Sequence, residues 1–198
     1  EAAEILGRHL AGTPVNIGFE TGSEEHCLQL GRASSVEENL LALRRLKRAG
    51  LRPYAYFIHG LPGQTPKTAD ETVKTIGETV KAGVSRIILY RFHPLPMSAF
   101  HDQPTAPPAV KDRLSKGIHD AARRANAMLK EDYLGRRLRV VIAEPYEKDR
   151  RYYVSYPMLH GPVVLVEGAD GLVGEVVDVE VFKASERIVR ARRLDVMF

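Results

Sequence analysis

The chain has 198 residues, 44% of them apolar and 27% charged, with a net charge of +4. That is the composition of an ordinary globular protein. No run approaches the roughly 20 consecutive apolar residues of a membrane span and no signal-like segment opens the chain, so a cytoplasmic location without a membrane partner is expected.

A lone cysteine, Cys27, excludes a disulfide framework and any multi-cysteine metal site built from these residues alone. It reads as a small buried hydrophobe. The basic excess is spread along the chain, which permits nucleic-acid binding without compelling it.

The chain opens at Glu1 inside a helical pattern. A first strand is predicted at Val15–Glu20, after a Gly-Thr-Pro turn. The first long helix begins near Ser35, where Ser35 and Glu38 have the spacing of a capping box. Val36, Leu40, Leu43 and Leu46 share its apolar face, Arg44, Arg45, Lys47 and Arg48 crowd the solvent side, and Gly50 ends it. A second strand covers Tyr54–Ile58. Thr68 and Glu71 then propose a second capping box, with Val73, Ile76 and Val80 as the buried stripe and Gly83 as the stop. The strand Arg86–Tyr90 follows.

This βα recurrence predicts an α/β fold with a parallel sheet. Three strands cannot close a barrel, so the sheet is either open or completed by strands upstream. A proline-rich loop runs from Pro94 to Pro108, and a helix over 109–133 carries Leu114, Ile118, Ala121, Ala122, Ala125 and Leu129. Past a domain boundary near Leu134, Leu138, Val140 and Ile142, and later Val177, Val179 and Val181, alternate with polar residues. Glycines at 161, 168, 171 and 174 punctuate the segment, which predicts a small antiparallel β-barrel.

Ligands of α/β folds bind beyond the C-terminal ends of the strands, and three segments fall there. Glu20-Thr21-Gly22-Ser23 offers a carboxylate and two hydroxyls, suited either to a ligand with hydroxyl and amino groups or to ordinary helix capping. His59-Gly60-Leu61-Pro62-Gly63-Gln64-Thr65 has two glycines that let backbone approach a ligand; its histidine reads as structural or as a general acid or base. Tyr90-Arg91-Phe92-His93-Pro94-Leu95-Pro96 reads as a stacking site for a base or as an aromatic plug.

In this order and spacing the pieces resemble the radical S-adenosylmethionine (SAM) enzymes. Phe19-Glu20-Thr21-Gly22-Ser23, Leu30-Gly31-Arg32 and Lys47-Arg48-Ala49-Gly50 are similar to their fourth βα unit. Phe57–Thr65 is similar to their fifth strand and its Gly-Leu-Pro-Gly-Glu-Thr loop, with Gln64 in place of the glutamate. Phe92–Pro96 resembles the exit from the sixth strand. The nearest subgroup contains tRNA methylthiotransferases and cobalamin-binding relatives.

Leu134–Leu138, Gly161–Val166 and Leu172–Val179 resemble a TRAM domain, an OB-like RNA-binding barrel. Residues 1–107 are thus expected to be the C-terminal half of a partial (β/α) barrel, 108–133 a connecting helix and 134–198 the TRAM-like barrel.

The resemblance implies SAM contacts from Glu20, Thr21 and Ser23 at the amino or ribose end. It places Ile58 and Gly60 along the adenine, with Phe92 or His93 near its edge, and counts Gly63 among the cofactor-binding residues. It also implies a [4Fe–4S] cluster and an electron donor. The family's Cys-x₃-Cys-x₂-Cys ligands are missing here, so the chain reads as a fragment whose cluster ligands, and a possible cobalamin domain, lie upstream.

RNA, tRNA above all and not DNA, is the expected macromolecular partner. Arg136, Arg137, Arg139, Arg190, Arg192 and Arg193 would form the patch, with Tyr152 beside them to stack on bases. The expected activity is an RNA-modifying transferase; the alternative is a non-catalytic RNA-binding protein that keeps the SAM-domain scaffold. An unrelated small-molecule α/β enzyme remains if the strand-end motifs are coincidental.

Overall fold

The computed structural model describes residues 1–194; the last four positions of the 134–198 segment lie outside the described residues. The chain divides into two compact units, Glu1–Ala125 and Asn126–Phe198. The first contains α1 (Ala2–Leu10), β1 (Pro14–Glu20), α2 (Glu24–Gln29), α3 (Val36–Arg48), β2 (Arg52–His59), α4 (Pro66–Lys81) and β3 (Arg86–Arg91). After a short 3-10 turn, α5 (Arg113–Glu131) runs across the division.

The three strands form a parallel sheet in the order β1-β2-β3. Along β2, Pro53, Ala55, Phe57 and His59 are buried while Tyr54, Tyr56 and Ile58 are only half-buried, the period of two that a one-sided sheet demands. The buried face carries Ile17, Phe19, Ala55, Phe57 and Ile87, and the rings of Phe19 and Phe57 stack at 5.1 Å. Helix α3 packs on β1 and β2 and buries Val36, Leu40, Leu43 and Leu46 there, as its periodicity predicts.

The α3 capping box is present: Ser35 Oγ accepts from Glu38 N at 3.1 Å, and Glu38 Oε2 accepts from Ser35 N at 2.9 Å. Ser35→Ala should lower stability by about 1 kcal/mol in a denaturant titration; an unchanged midpoint would mean that Glu24, whose carboxylate already accepts from Val36 N and Glu37 N, caps the helix by itself.

The second box does not sit where the spacing predicts. Pro66 occupies the first helical turn, where a missing N–H costs nothing, so α4 starts earlier and the box is Thr65 with Thr68 rather than Thr68 with Glu71. The predicted stripe also changes. Ile76 is buried, but Val73 and Val80 are only half-buried, and Thr68, Thr72, Thr75 and Thr79 fill the inner face. Their hydroxyls are satisfied by backbone carbonyls, including Thr72 to Thr68 O at 2.8 Å and Thr79 to Ile76 O at 2.7 Å, which is what makes burial tolerable.

The second unit adds β4 (Arg137–Pro145), β5 (Tyr152–Pro157), β6 (Val163–Glu167), β7 (Val176–Ala184) and β8 (Ile188–Arg193). They close a barrel in the order β4-β5-β6-β8-β7. Val140, Ile142, Val164, Val166, Val179, Val181, Val189 and Ala191 form its core. The expected all-antiparallel barrel is corrected at one seam, where β6 and β8 pair in parallel. Five strands around a closed ring cannot alternate direction throughout, so one parallel pair is a matter of parity.

Candidate functional site

The loops after β1 and β2 are built around left-handed backbone. Glu20 has φ of 62°, sparsely allowed for a residue with a side chain, and it follows a register shift between Gly18 and Glu20. Phe19 must stay in the core, so the bulge absorbs the extra residue and brings Glu20 over the strand end. Thr21 N donates back to Phe19 O at 2.8 Å and tightens the turn.

The Glu20 carboxylate lies 3.4 Å from Arg32 Nη1, and Arg32 Nη2 donates to Gly18 O at 2.6 Å. A Cβ on Gly18 would sit 2.7 Å from Glu20 Oε1, so the glycine makes room for the ion pair. Burial pushes the Glu20 carboxyl above its usual range, and Arg32 partly offsets that. Arg32 Nε is buried without a hydrogen-bond partner.

Thr21 and Ser23, expected at the ligand, are turned inward instead, 2% and 1% exposed. Thr21 Oγ1 lies 3.2 Å from Thr72 Oγ1 and 3.3 Å from His26 Nδ1, and accepts from Ser23 N at 3.3 Å. Ser23 Oγ caps α2 by accepting from His26 N at 3.3 Å. Gly22 is pinned on both sides: its N–H donates to Thr72 Oγ1 at 3.0 Å, and its carbonyl accepts from Thr75 Oγ1 at 2.9 Å. The threonine face of α4 therefore holds the loop.

Gly60 has φ of 73°, and a Cβ there would lie 2.3 Å from Ala106 Cβ. Its N–H donates to Gln64 Oε1 at 2.8 Å, so the amide standing where a glutamate was expected still supplies an oxygen that closes the loop. Gly63, with φ of 78°, faces His26. Ile58 packs against a small apolar cluster of Leu61, Phe92 and Ala106.

Phe92 is thus buried in that cluster, while His93 is exposed. His93 Nε2 accepts from Arg91 Nε at 3.2 Å, which puts its proton on Nδ1, 3.3 Å from Thr105 Oγ1. His59 is buried on the helix side of the sheet; burial holds it below the ordinary histidine range and its Nδ1 has no partner.

The strand ends place Glu20 in register with Phe57, one position before Ile58, and His26 beside Gly63; Arg32 and His26 are two residues that sequence reasoning did not single out. Arg32 was visible only as part of a motif, and His26 lay three positions after its cap residue Ser23. A groove of about 580 Å³ between α2, α3 and α4 includes none of the predicted site residues.

Of these groups the half-buried Glu20 carboxylate beside Arg32 would suit the ammonium of SAM, whereas Arg32 Nε is buried and the space a Cβ on Gly60 would take is filled by Ala106. A [4Fe–4S] cluster does not fit the residues present. Cys27 is buried, with its thiol pushed up by burial, and among the described residues no group of three or more His, Cys, Asp or Glu side chains could hold a metal ion. No described helix is long and apolar enough to cross a membrane.

On the barrel, Arg190 and Arg192 alternate with the buried Val189 and Ala191, as expected. Tyr152 is not open to a base: it is 5% exposed, and Arg190 and Arg151 lie over its ring at 5.0 and 5.8 Å. Arg192 covers Phe182 at 5.1 Å, and Arg136 covers Tyr133 at 5.6 Å. Arg137 pairs in register with Glu180, Arg139 with Asp178, and Arg193 with Val179. Arg151 is engaged by Asp149 through two hydrogen bonds of 3.0 and 2.8 Å, which hold the Asp149 carboxyl down at about 2.

Residues 2–76 match the model of the radical SAM superfamily. An uncharacterized protein of Methanopyrus kandleri is 45% identical over 91% of this chain and 35% of its own length. One of Methanocaldococcus jannaschii is 35% identical over 98% of this chain and 37% of its own. A protein of Bordetella pertussis named tRNA-2-methylthio-N(6)-dimethylallyladenosine synthase is 26% identical over 90% of this chain and 40% of its own. The chain thus spans little more than a third of the curated relatives it matches. Neither the family match nor these names bring in cobalamin.

Proposed function

We propose, from the premise that residues 2–76 are part of a radical SAM domain, that the protein is a radical SAM enzyme that modifies RNA in the cytoplasm. Residues 1–107 form the SAM-binding half, 108–133 the connecting helix and 134–198 a TRAM-like RNA-binding barrel. The half-buried Glu20–Arg32 pair at the end of β1 carries this reading, because a carboxylate beside a guanidinium complements the zwitterionic end of SAM.

Ile58, Gly60 and Gly63 flank the adenine, Phe92 backs Ile58, and His93 stands at the rim. Thr21 and Ser23 shape the loop from beneath. Bound there, SAM supplies the 5′-deoxyadenosyl group for hydrogen abstraction. A [4Fe–4S] cluster, and a donor to reduce it, would need ligands and contacts other than the described residues. The Bordetella relative's name supports tRNA as the RNA, with Arg190, Arg192 and Arg193 of the barrel contacting phosphates together with Arg136, Arg137 and Arg139.

Equilibrium titration of the full-length protein with SAM should give saturable binding. Its affinity for tRNA should drop steeply between about 50 and 200 mM salt, by the counterion release that follows neutralised phosphates. A protein that binds tRNA in this way but takes up no SAM would sink the enzyme reading and leave an RNA-binding protein on a SAM-domain scaffold.

A further inference from the structure

We infer that His26 is a positioning residue that locks the loop after β1 to the loop after β2, so that Glu20 and Gly60 are held at one spacing; the inference rests on the SAM-binding reading above. His26 is the third residue of the short helix α2 and is 1% exposed. Both ring nitrogens are engaged, on different loops: Nε2 lies 2.8 Å from Pro62 O and Nδ1 lies 3.3 Å from Thr21 Oγ1.

A carbonyl oxygen only accepts, so Nε2 carries a proton and donates to Pro62. In the neutral ring Nδ1 then accepts, and the Thr21 hydroxyl supplies the hydrogen. The imidazole is therefore a bridge of fixed polarity between Thr21 and Pro62.

A residue that merely filled space here would be apolar. Burying an imidazole costs desolvation that only its hydrogen bonds offset. Both bonds reach groups one step removed from the proposed cofactor contacts. Thr21 follows Glu20 in the turn and precedes Gly22, whose N–H donates to Thr72 Oγ1 on α4. Pro62 lies between Gly60 and Gly63, and a Cβ on Gly63 would stand 3.6 Å from His26 Nε2.

Across the Gly60–Gln64 turn the loop makes two bonds of its own, Gly60 N to Gln64 Oε1 at 2.8 Å and Gln64 N to Leu61 O at 3.1 Å. Both are local and set the shape of the turn. The bond from His26 ties the turn to the neighbouring strand end. Without it only those two local bonds hold the turn, which opens more often and shifts from its place, and a displacement of that kind weakens a site whose two halves must meet one ligand.

Three variants of the full-length protein separate this role from simple packing. His26→Leu removes both bonds. His26→Gln keeps an N–H near the Nε2 position, and His26→Asn keeps polar atoms only near Nδ1. Hydrogen exchange at the Gly60, Leu61, Gly63 and Gln64 amides should accelerate by about tenfold in His26→Leu and His26→Asn and return towards wild type in His26→Gln. SAM affinity should follow the same order, weakened by about tenfold in the first two and rescued in the third.

If all three lower the melting temperature alike while exchange at 60–64 and SAM affinity stay within twofold of wild type, His26 is a core residue and the inference is overturned. If the wild type binds no SAM, the functional reading fails, and the exchange series still decides by its own order whether His26 joins the loops.

Discussion

Gly22→Ala unfolds at a markedly lower denaturant concentration than the wild type, and its folded fraction binds SAM at least tenfold more weakly. A Cβ at position 22 would lie 2.6 Å from Thr72 Cα and 2.6 Å from Thr75 Cβ. The first is backbone of a helix interior and cannot rotate away. Either the loop lifts off α4 or α4 shifts, and overpacking of this kind costs about 1–3 kcal/mol.

The damage does not stop at sterics. Lifting the loop breaks the bonds from Gly22 to Thr72 and Thr75 and strands buried polar groups. The total should reach about 3 kcal/mol or more. Gly77→Ala is the control: that glycine sits within α4, and a methyl added there would have nothing within 4 Å, so the substitution should stabilise the protein by about 0.5–1 kcal/mol through backbone entropy. If the two substitutions move the midpoint in the same direction, close packing of the loop on α4 is not what holds the site.

The contrast between those two glycines also marks how far the sequence can be read. The alternation of β2 and the apolar stripe of α3 are written in side chains whose burial depends only on being apolar, and both are legible. The inner face of α4 is not. A threonine goes inside only when a particular partner waits for its hydroxyl, and the partner of Thr75 is a loop carbonyl 53 positions away.

The same reason hides the orientation of Thr21. Its hydroxyl was legible as chemistry, but whether it faces a ligand or α4 is decided by residues that spacing does not connect; Ser23 instead caps α2, the local role that its position also offered. Glu20 was legible as a strand-end acid, whereas its bulge and positive φ were not, since no glycine announces them. The parallel seam of the barrel follows from closing five strands, and strand alternation carries no record of how many strands close.

Glu20→Gln should make the protein more stable near neutral pH and a poorer binder of SAM. The Glu20 carboxyl titrates above its ordinary value because it is buried, with Arg32 offsetting part of the shift. A raised acid pKa means that the native state holds a proton which the unfolded chain has already released. Stability from this group is therefore full below the ordinary value of 4.5 and is lost as pH rises through the higher folded value. At neutral pH the carboxylate is a net cost of folding, added to the strain of φ at 62°.

Glutamine keeps an oxygen for Arg32 and removes the charge, so the melting temperature should rise at pH 7 and the decline of stability above pH 4.5 should flatten. What it cannot keep is a charged acceptor for an ammonium group. Losing a charge-assisted bond should weaken SAM between roughly ten- and a hundredfold. Opposite signs in the two measurements are the signature of a group retained for binding at the expense of the fold. A Glu20→Gln protein that gains stability yet binds SAM as tightly as the wild type would remove this carboxylate from the site and leave Arg32 to answer for the cofactor's charged end alone.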